Sequence, residues 1–502
     1  MAEPPVLPER AAGVLLHPTS LPGPGVGDLG QPAARFIDWL ASAGQQFWQI
    51  LPLVPVDAGG SPYNGLSALA GNPLLVSPDL LVEQGLVSRS DAEPPVDCRR
   101  ERVDFPSVLR WKEELLHSAY RAFREGAAPQ LADPFEAFRT AHGSWLRDYT
   151  LFRALRAEHG GASWLEWPDD LMRRTPPALE AAARRLADQV ERFAFQQFLF
   201  SRQLQSLRRH ARDRGIRIIG DIPIFVAHDS ADVWANPDIF ELDADGAPTS
   251  VAGVPPDYFS ATGQRWGNPL YRWDVLRRRD YDWWVARFRR TLEMVDIIRV
   301  DHFRGFEAYW EIPASEATAV NGRWVAGPGA EFFHRIEAQL GRLPLIAEDL
   351  GLITPEVDAL REALGFPGMR VLQFAFDGDP SNPHLPANYT TEAVAYTGTH
   401  DNDTILGWWS EVSAAERQRV RRAMGVEDPV AWDFIEAVFA SSARLTIAPM
   451  QDLLGLGSEA RMNTPGRTED NWSWRIPAGE PGTEVAGRLL ELARRTGRAR
   501  DR

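Results

Sequence analysis

Cysteine is almost missing from this chain: Cys98 is the single one in 502 residues. No disulfide can form within it, a cysteine-rich metal site is excluded, and a reducing cytoplasm is the expected compartment. Lysine is equally scarce. Lys112 stands alone among 54 Lys and Arg residues, so no Schiff-base lysine is available near the acidic stretches described below. No apolar run approaches the roughly 18 residues of a membrane span, and residues 1–10 lack the charged-then-apolar pattern of a secretion leader. A soluble protein without a membrane partner is expected. An excess of positive charge is lacking too: the net charge is −15 and the pI about 5.3. Nucleic acid is therefore not the expected partner, and a neutral substrate fits better.

What is present is a globular composition, 44% hydrophobic and 25% charged, and a repeated local pattern. Ile297, Ile298 and Val300 read as a short buried strand, and Asp301 and His302 collect where that strand stops. Leu345, Ile346 and Ala347 run likewise into Glu348 and Asp349, and Val394, Ala395 and Tyr396 into His400, Asp401 and Asn402. From Asp301 to Glu348 is 47 residues and from Glu348 to Asp401 is 53. Each interval suits a strand, a helix and two generous loops. In a (β/α)8 barrel chemistry gathers at the C-terminal strand ends, so three such acids would converge on one mouth.

Further strands are expected near residues 14, 48, 219, 371 and 447, which brings the count to eight, the barrel number. The first two, separated by a helix at 32–44, form a βαβ unit and imply parallel pairing. Residues 77–214 carry 3.6-residue apolar periodicity with almost no strand signal and predict a helical insertion. Residues 226–290 predict a second insertion. Within it, 254–269 has no periodicity but holds Phe259, Gln264 and Trp266, and reads as a structureless substrate-covering loop. No separate domain splits off, so 1–502 is expected to be one catalytic barrel. The glycine-rich loop at 59–65, which carries Ser61 and Tyr63, lacks the Lys-Ser/Thr of a phosphate-binding loop; Tyr63 reads as an aromatic platform or as ordinary loop packing.

Paired carboxyls at one mouth suit glycosyl transfer or hydrolysis, in which one acid attacks or stabilises the sugar and another donates and then removes a proton. Arg299, two residues from Asp301 on the same strand face, is expected to lower that carboxyl's pKa. Burial and the neighbouring Asp349 are expected to raise that of Glu348. His302 and His400 read either as sugar contacts or as neutral core histidines. The 18 tryptophans suit stacking on sugar faces, although most should be core.

The strand-end motifs 299–302, 347–349 and 399–402, with 220–224 upstream, resemble the four motifs of the α-amylase clan. The 61–63 loop, the 255–269 segment and the stretch 461–466 resemble the amylomaltases, the 4-α-glucanotransferases of glycoside hydrolase family 77, over most of the chain. The resemblance implies a (β/α)8 barrel without a C-terminal β-sandwich, and needs no metal or cofactor. It implies Asp301 as nucleophile, Glu348 as acid/base and Asp401 as transition-state stabiliser. It further implies Tyr63, Asp221, Gln264, Trp266, Arg299, His302, His400 and Asn463 as sugar contacts, with Ser61 and Phe259 in the adjoining loops. The expected partners are α-1,4-glucans, with glucose as an acceptor. Asn64 departs from the pattern, since many relatives would carry Gln there. An α-amylase-like hydrolase, a non-catalytic glucan-binding barrel and a metal-dependent barrel enzyme are the alternatives, the last disfavoured by Arg299 at the site.

Overall fold

The computed structural model describes residues 7–256, 260–467 and 469–500. Among them are twelve strands: β1 (Ala11–Leu15), β2 (Phe47–Gln49), β3 (Arg217–Pro223), β4 (Ser250–Val254), β5 (Gln264–Pro269), β6 (Ile297–Asp301), β7 (Ala308–Pro313), β8 (Arg323–Ala326), β9 (Leu345–Ala347), β10 (Gly368–Val371), β11 (Ala393–Tyr396) and β12 (Leu445–Pro449). Eight form one parallel sheet in the order β10-β11-β12-β1-β2-β3-β6-β9. Its two ends meet where the Ala347 N–H donates to Pro367 O at 2.9 Å. The result is a (β/α)8 barrel, and its eight strands are the eight apolar runs of the sequence.

These runs are predominantly apolar because a parallel barrel covers both faces of every strand. Ile219, Ile298, Ile346, Val394 and Ile447 have no exposed surface, and burial of each contributes about 1.5–3 kcal/mol. Where the wall is narrowest, only glycine fits: a Cβ on Gly13 would lie 2.6 Å from Phe47 Cβ. Two runs make shorter strands than their apolar length predicts. After β2, Ile50 still donates to Ile219 O, but Pro52 has no N–H with which to continue the ladder. After β10, residues Leu372–Phe374 tighten into a 3-10 turn.

Between Pro78 and Asp213 the described residues hold helices and no strand, the longest being Phe105–Arg124, Gly143–Glu158 and Ala187–Asp213. Phe193, Phe195, Phe198 and Leu199 are buried and continuous with the barrel core. Beyond β12 no strand follows among the described residues. The last helix, Thr483–Arg495, leads to Arg498, whose fully buried guanidinium donates to the carbonyls of Phe439, Ala11 and Ser441. The tail thereby ties down the bottom of the barrel.

The reading of 254–269 as structureless is corrected. β4 and β5 flank its middle as a hairpin and join β7 and β8 in an antiparallel sheet ordered β5-β4-β7-β8. β4 and β5 leave the barrel after β3, and β7 and β8 leave it after β6, so partners lie some 60 residues apart: Ala252 faces Glu311. Pairing this distant leaves no local alternation to detect.

Candidate active site

Register brings the acids together. In the barrel, Asp221 of β3 lies directly beside Arg299 of β6, and Val300 lies beside Ala347 of β9. One step further, Asp301 and Glu348 leave the same rim from adjacent strands, and the ladder continues there as the Glu348 N–H donates to Val300 O at 3.0 Å. Arg299 and Asp301, two apart on one strand, share a face.

Arg299 is the cation around which the site is built. Its Nη1 donates to Asp221 Oδ2 at 2.6 Å and its Nη2 lies 2.9 Å from Asp301 Oδ1. Burial opposes its charge, but Asp221 and Asp301 more than restore it and hold its pKa above the usual arginine value. The Tyr63 hydroxyl donates to the same Asp221 oxygen at 2.7 Å. Tyr63 also stacks on His400, ring centroids 5.1 Å apart and planes 10° from parallel, and contacts Trp472.

Glu348 is held by backbone. Its Oε2 accepts from the His302 N–H at 2.7 Å and its Oε1 from the Leu350 N–H at 2.8 Å. His302 takes a left-handed conformation, φ 51°, immediately after the strand. Burial pushes the Glu348 carboxyl up to about 7; Arg299 and the two N–H groups oppose this, and Asp349 adds to it. Asp349 itself points away from the mouth, where it accepts from the Met369 N–H and pairs with Arg361 and Arg370.

The expectation that Arg299 holds Asp301 low is corrected. Burial raises Asp301 well above the usual carboxylate range, and the Asp221, Glu348 and Asp401 charges add to the rise against the pull of Arg299. Asp301 and Glu348 stand side by side on adjacent strands within reach of one Arg299 charge, so they titrate as a pair. Geometry assigns their common proton to Glu348. Protonating Asp301 would set a neutral oxygen against Arg299 Nη2, whereas Glu348 has no such ion-pair contact.

Asp401 is the most open of the acids, with 43% of its side chain exposed. Asn463 Nδ2 donates to its Oδ1 at 2.6 Å, and His400 Nε2 lies 3.3 Å from its Oδ2. Burial lowers the pKa of His400, as it does for His302, which falls to about 3; both rings are neutral at pH 7. Trp266 meets His302 edge to face at 4.9 Å and donates from Nε1 to Gln264 Oε1. Thus Tyr63, Asp221, Gln264, Trp266, Arg299, His302, His400 and Asn463 all join the three acids through contacts. Ser61 is linked only through its hydroxyl, which accepts the Tyr63 N–H, and Phe259 lies outside the described residues.

Two further participants were not among the expected site residues, although Arg461 opens the 461–466 stretch that carries the family resemblance. Trp472 packs against Tyr63 and His400 from a segment beyond the barrel, with φ 64°. Arg461 donates to the carbonyls of Asp401 and Asn463 and so joins the two loops. A small recess open to solvent and lined by His17, His400, Asp403 and Arg461 among others lies beside the acids, but Asp301 and Glu348 do not line it. Among the described residues no group of three or more His, Cys, Asp or Glu is placed to hold a metal ion, and no helix is long and apolar enough to cross a membrane.

Comparison with known proteins gives the same answer from independent data. A family model described as 4-alpha-glucanotransferase matches residues 16–480. The 4-alpha-glucanotransferase of Thermus thermophilus is 52% identical, covering 97% of this chain and 99% of that protein; that of Synechocystis sp. is 48% identical, covering 98% and 99%. A structure of amylomaltase from Streptococcus agalactiae in complex with acarbose superposes with a TM-score of 0.93 at 37% identity, over 98% of this chain and 100% of that one. With its eight-stranded barrel, its acids on one rim and a family match spanning most of its length, this chain belongs to glycoside hydrolase family 77, the 4-alpha-glucanotransferases.

Proposed function

We propose that the protein cleaves an α-1,4-glucan, retains the donor segment covalently on Asp301, and passes it to the 4-hydroxyl of another glucan or of glucose. The observation that carries this reading is the position of Asp301 and Glu348 on adjacent strands at one rim. Adjacent strands lie about 4.8 Å apart, so both carboxyls can reach one glycosidic bond, as a retaining pair must.

In this mechanism Glu348, protonated at neutral pH, gives its proton to the glycosidic oxygen as the bond to the anomeric carbon breaks. Asp301, with Oδ1 held by Arg299, attacks through Oδ2 and forms a glycosyl ester. The acceptor hydroxyl then loses its proton to Glu348 and displaces Asp301, which restores both groups. Between these steps the sugar ring carries oxocarbenium-like positive charge. Carboxyl groups already fixed at the rim by Arg299, Asn463 and backbone N–H groups face that charge as it develops and stabilise it. Asp401, oriented by Asn463, is assigned this stabilising role. Tyr63, His302 and His400 are assigned to ring stacking and hydroxyl contacts, together with Gln264 and Trp266 on the β4–β5 hairpin, which we take to cover the site and limit water. The acarbose in the S. agalactiae structure is consistent with a glucan-shaped site here. A cytoplasmic enzyme acting on maltodextrins fits the single buried Cys98.

Product analysis from maltotriose tests the reading. Glucose together with maltodextrins longer than maltotriose is the expected pattern. A rise in reducing ends without longer products would make the protein a hydrolase, and unchanged maltotriose would make it a glucan-binding barrel.

A further inference from the structure

Asp401 rides on a loop whose two ends are held by one side chain. Together with His400 it lies midway along residues 397–405, between β11 and the helix Ile405–Glu411. Asp452, in the short helix Met450–Leu453 that follows β12, has no exposed surface. Its Oδ2 accepts from the Thr397 hydroxyl at 2.5 Å and its Oδ1 from the Ile405 N–H at 2.8 Å. Thr397 is the first residue after β11 and Ile405 the first of the helix, so a single carboxylate takes one donor from each end of the loop.

Between these anchors the loop is a closed turn. Thr399 donates from both its N–H and its hydroxyl to Asn402 Oδ1 at 2.9 Å, and the Asp401 N–H donates to Thr399 Oγ1. A turn knitted in this way moves as a unit, so where Asp401 stands depends on where the ends are fixed. Arg461 and Asn463 hold Asp401 itself; Asp452 holds the frame that carries it. The Asp452 charge is costly where it lies. Burial raises its carboxyl to about 6, and the charge is met by two neutral donors and opposed by Asp403. A buried carboxylate without a cation lowers stability, and what this one supplies in return is the grip on the loop.

We propose that Asp452 is a positioning residue for the reaction: by joining Thr397 to Ile405 it sets the place of Asp401 at the catalytic rim. The proposal rests on the stabilising role assigned to Asp401 in the glucanotransferase reading. Displacing a catalytic group by about 1 Å can lower a rate on the order of a hundredfold, so loosening one end of the loop is expected to reduce turnover without removing any group that touches the sugar.

The test measures transfer from maltotriosyl fluoride, whose leaving group keeps weakened variants measurable, with the full-length protein and with the same protein carrying Asp401→Asn. Thr397→Val deletes one hydroxyl at nearly constant shape and should lower kcat about tenfold with KM within twofold; Thr397→Ser should recover most of that loss, and Asp452→Ala should lose more. In the Asp401→Asn background Thr397→Val should cost less than a further twofold, because a group that acts through Asp401 has nothing left to position. A tenfold loss in both backgrounds overturns the proposal, since the contact then serves the fold alone, and so does an unchanged kcat in Thr397→Val. Should Asp452→Ala fail to fold, the Thr397 variants decide by themselves. Should Asp401→Asn keep full activity, the role given to Asp401 fails separately, and amide hydrogen exchange across 397–405 still decides the grip: faster exchange in Thr397→Val supports it and unchanged exchange overturns it.

Discussion

Glu348 offers a quantitative check because one buried carboxyl controls both activity and stability. Burial raises it from 4.5 to about 7, and with 9% of the residue exposed little solvent screening intervenes. At about 1.4 kcal/mol per pH unit, the folded state binds this proton more tightly than the unfolded state by about 3 kcal/mol. The sign follows from linkage. Between pH 4.5 and 7 the native protein holds a proton that the unfolded chain has released, so this contribution is complete below pH 4.5 and lost as pH rises through 7. Replacing the carboxyl by Glu348→Gln removes this group's share of the pair's titration and leaves Asp301 as the remaining titrating member. Urea unfolding of both proteins at pH 4.5 and pH 8 should show the variant gaining stability relative to the parent over that interval. The parent's kcat/KM on maltotriose should fall tenfold per pH unit above about pH 7, as the general acid loses its proton. A stability difference that is constant across the interval, or a rate that stays flat to pH 9, would refute the assignment of the proton to Glu348.

Asp301→Asn should lower kcat on maltotriose by about four orders of magnitude while far-UV circular dichroism and amylose binding persist; retained turnover would remove Asp301 from the chemistry. Tyr63→Phe deletes the 2.7 Å hydrogen bond to Asp221 but keeps the stack on His400, and a bond to a charged group is worth about 1.5–3 kcal/mol. A ten- to hundredfold loss in kcat/KM is expected, with Tyr63→Ala losing more. Asn463→Ala frees Asp401 Oδ1 from its donor and should reduce kcat about tenfold with little change in KM, as steady-state kinetics would show. Gly13→Ala places a methyl 2.6 Å from Phe47 Cβ; overpacking of this kind costs about 1–3 kcal/mol and should appear as a lower thermal midpoint in calorimetry.

Much of this protein was legible before folding was considered. The eight barrel strands appear in the sequence as short, mainly apolar runs because a parallel barrel buries both faces, so burial marks each strand locally. The acids at the ends of β6 and β9 and beyond β11 were legible because each stands where an apolar run stops, and a charged residue at a buried position needs a partner, as Arg299 and Asp221 inside β6 and β3 have in each other.

Tertiary structure decided what depends on residues distant in the chain. The β4–β5 hairpin around 254–269 exists through its pairing with β7, across the barrel strand that carries Asp301, and no local pattern records such a partner. Trp472 and Arg461 reach the site from loops whose positions follow from closure of the barrel. The proton balance was decided there as well. The sequence by itself placed Arg299 two residues from Asp301 and implied an ionised carboxylate. Folding then set Asp221, Glu348 and Asp401 around that single guanidinium, because a carboxyl's proton affinity is a sum over every charge within reach and over the water that burial removes.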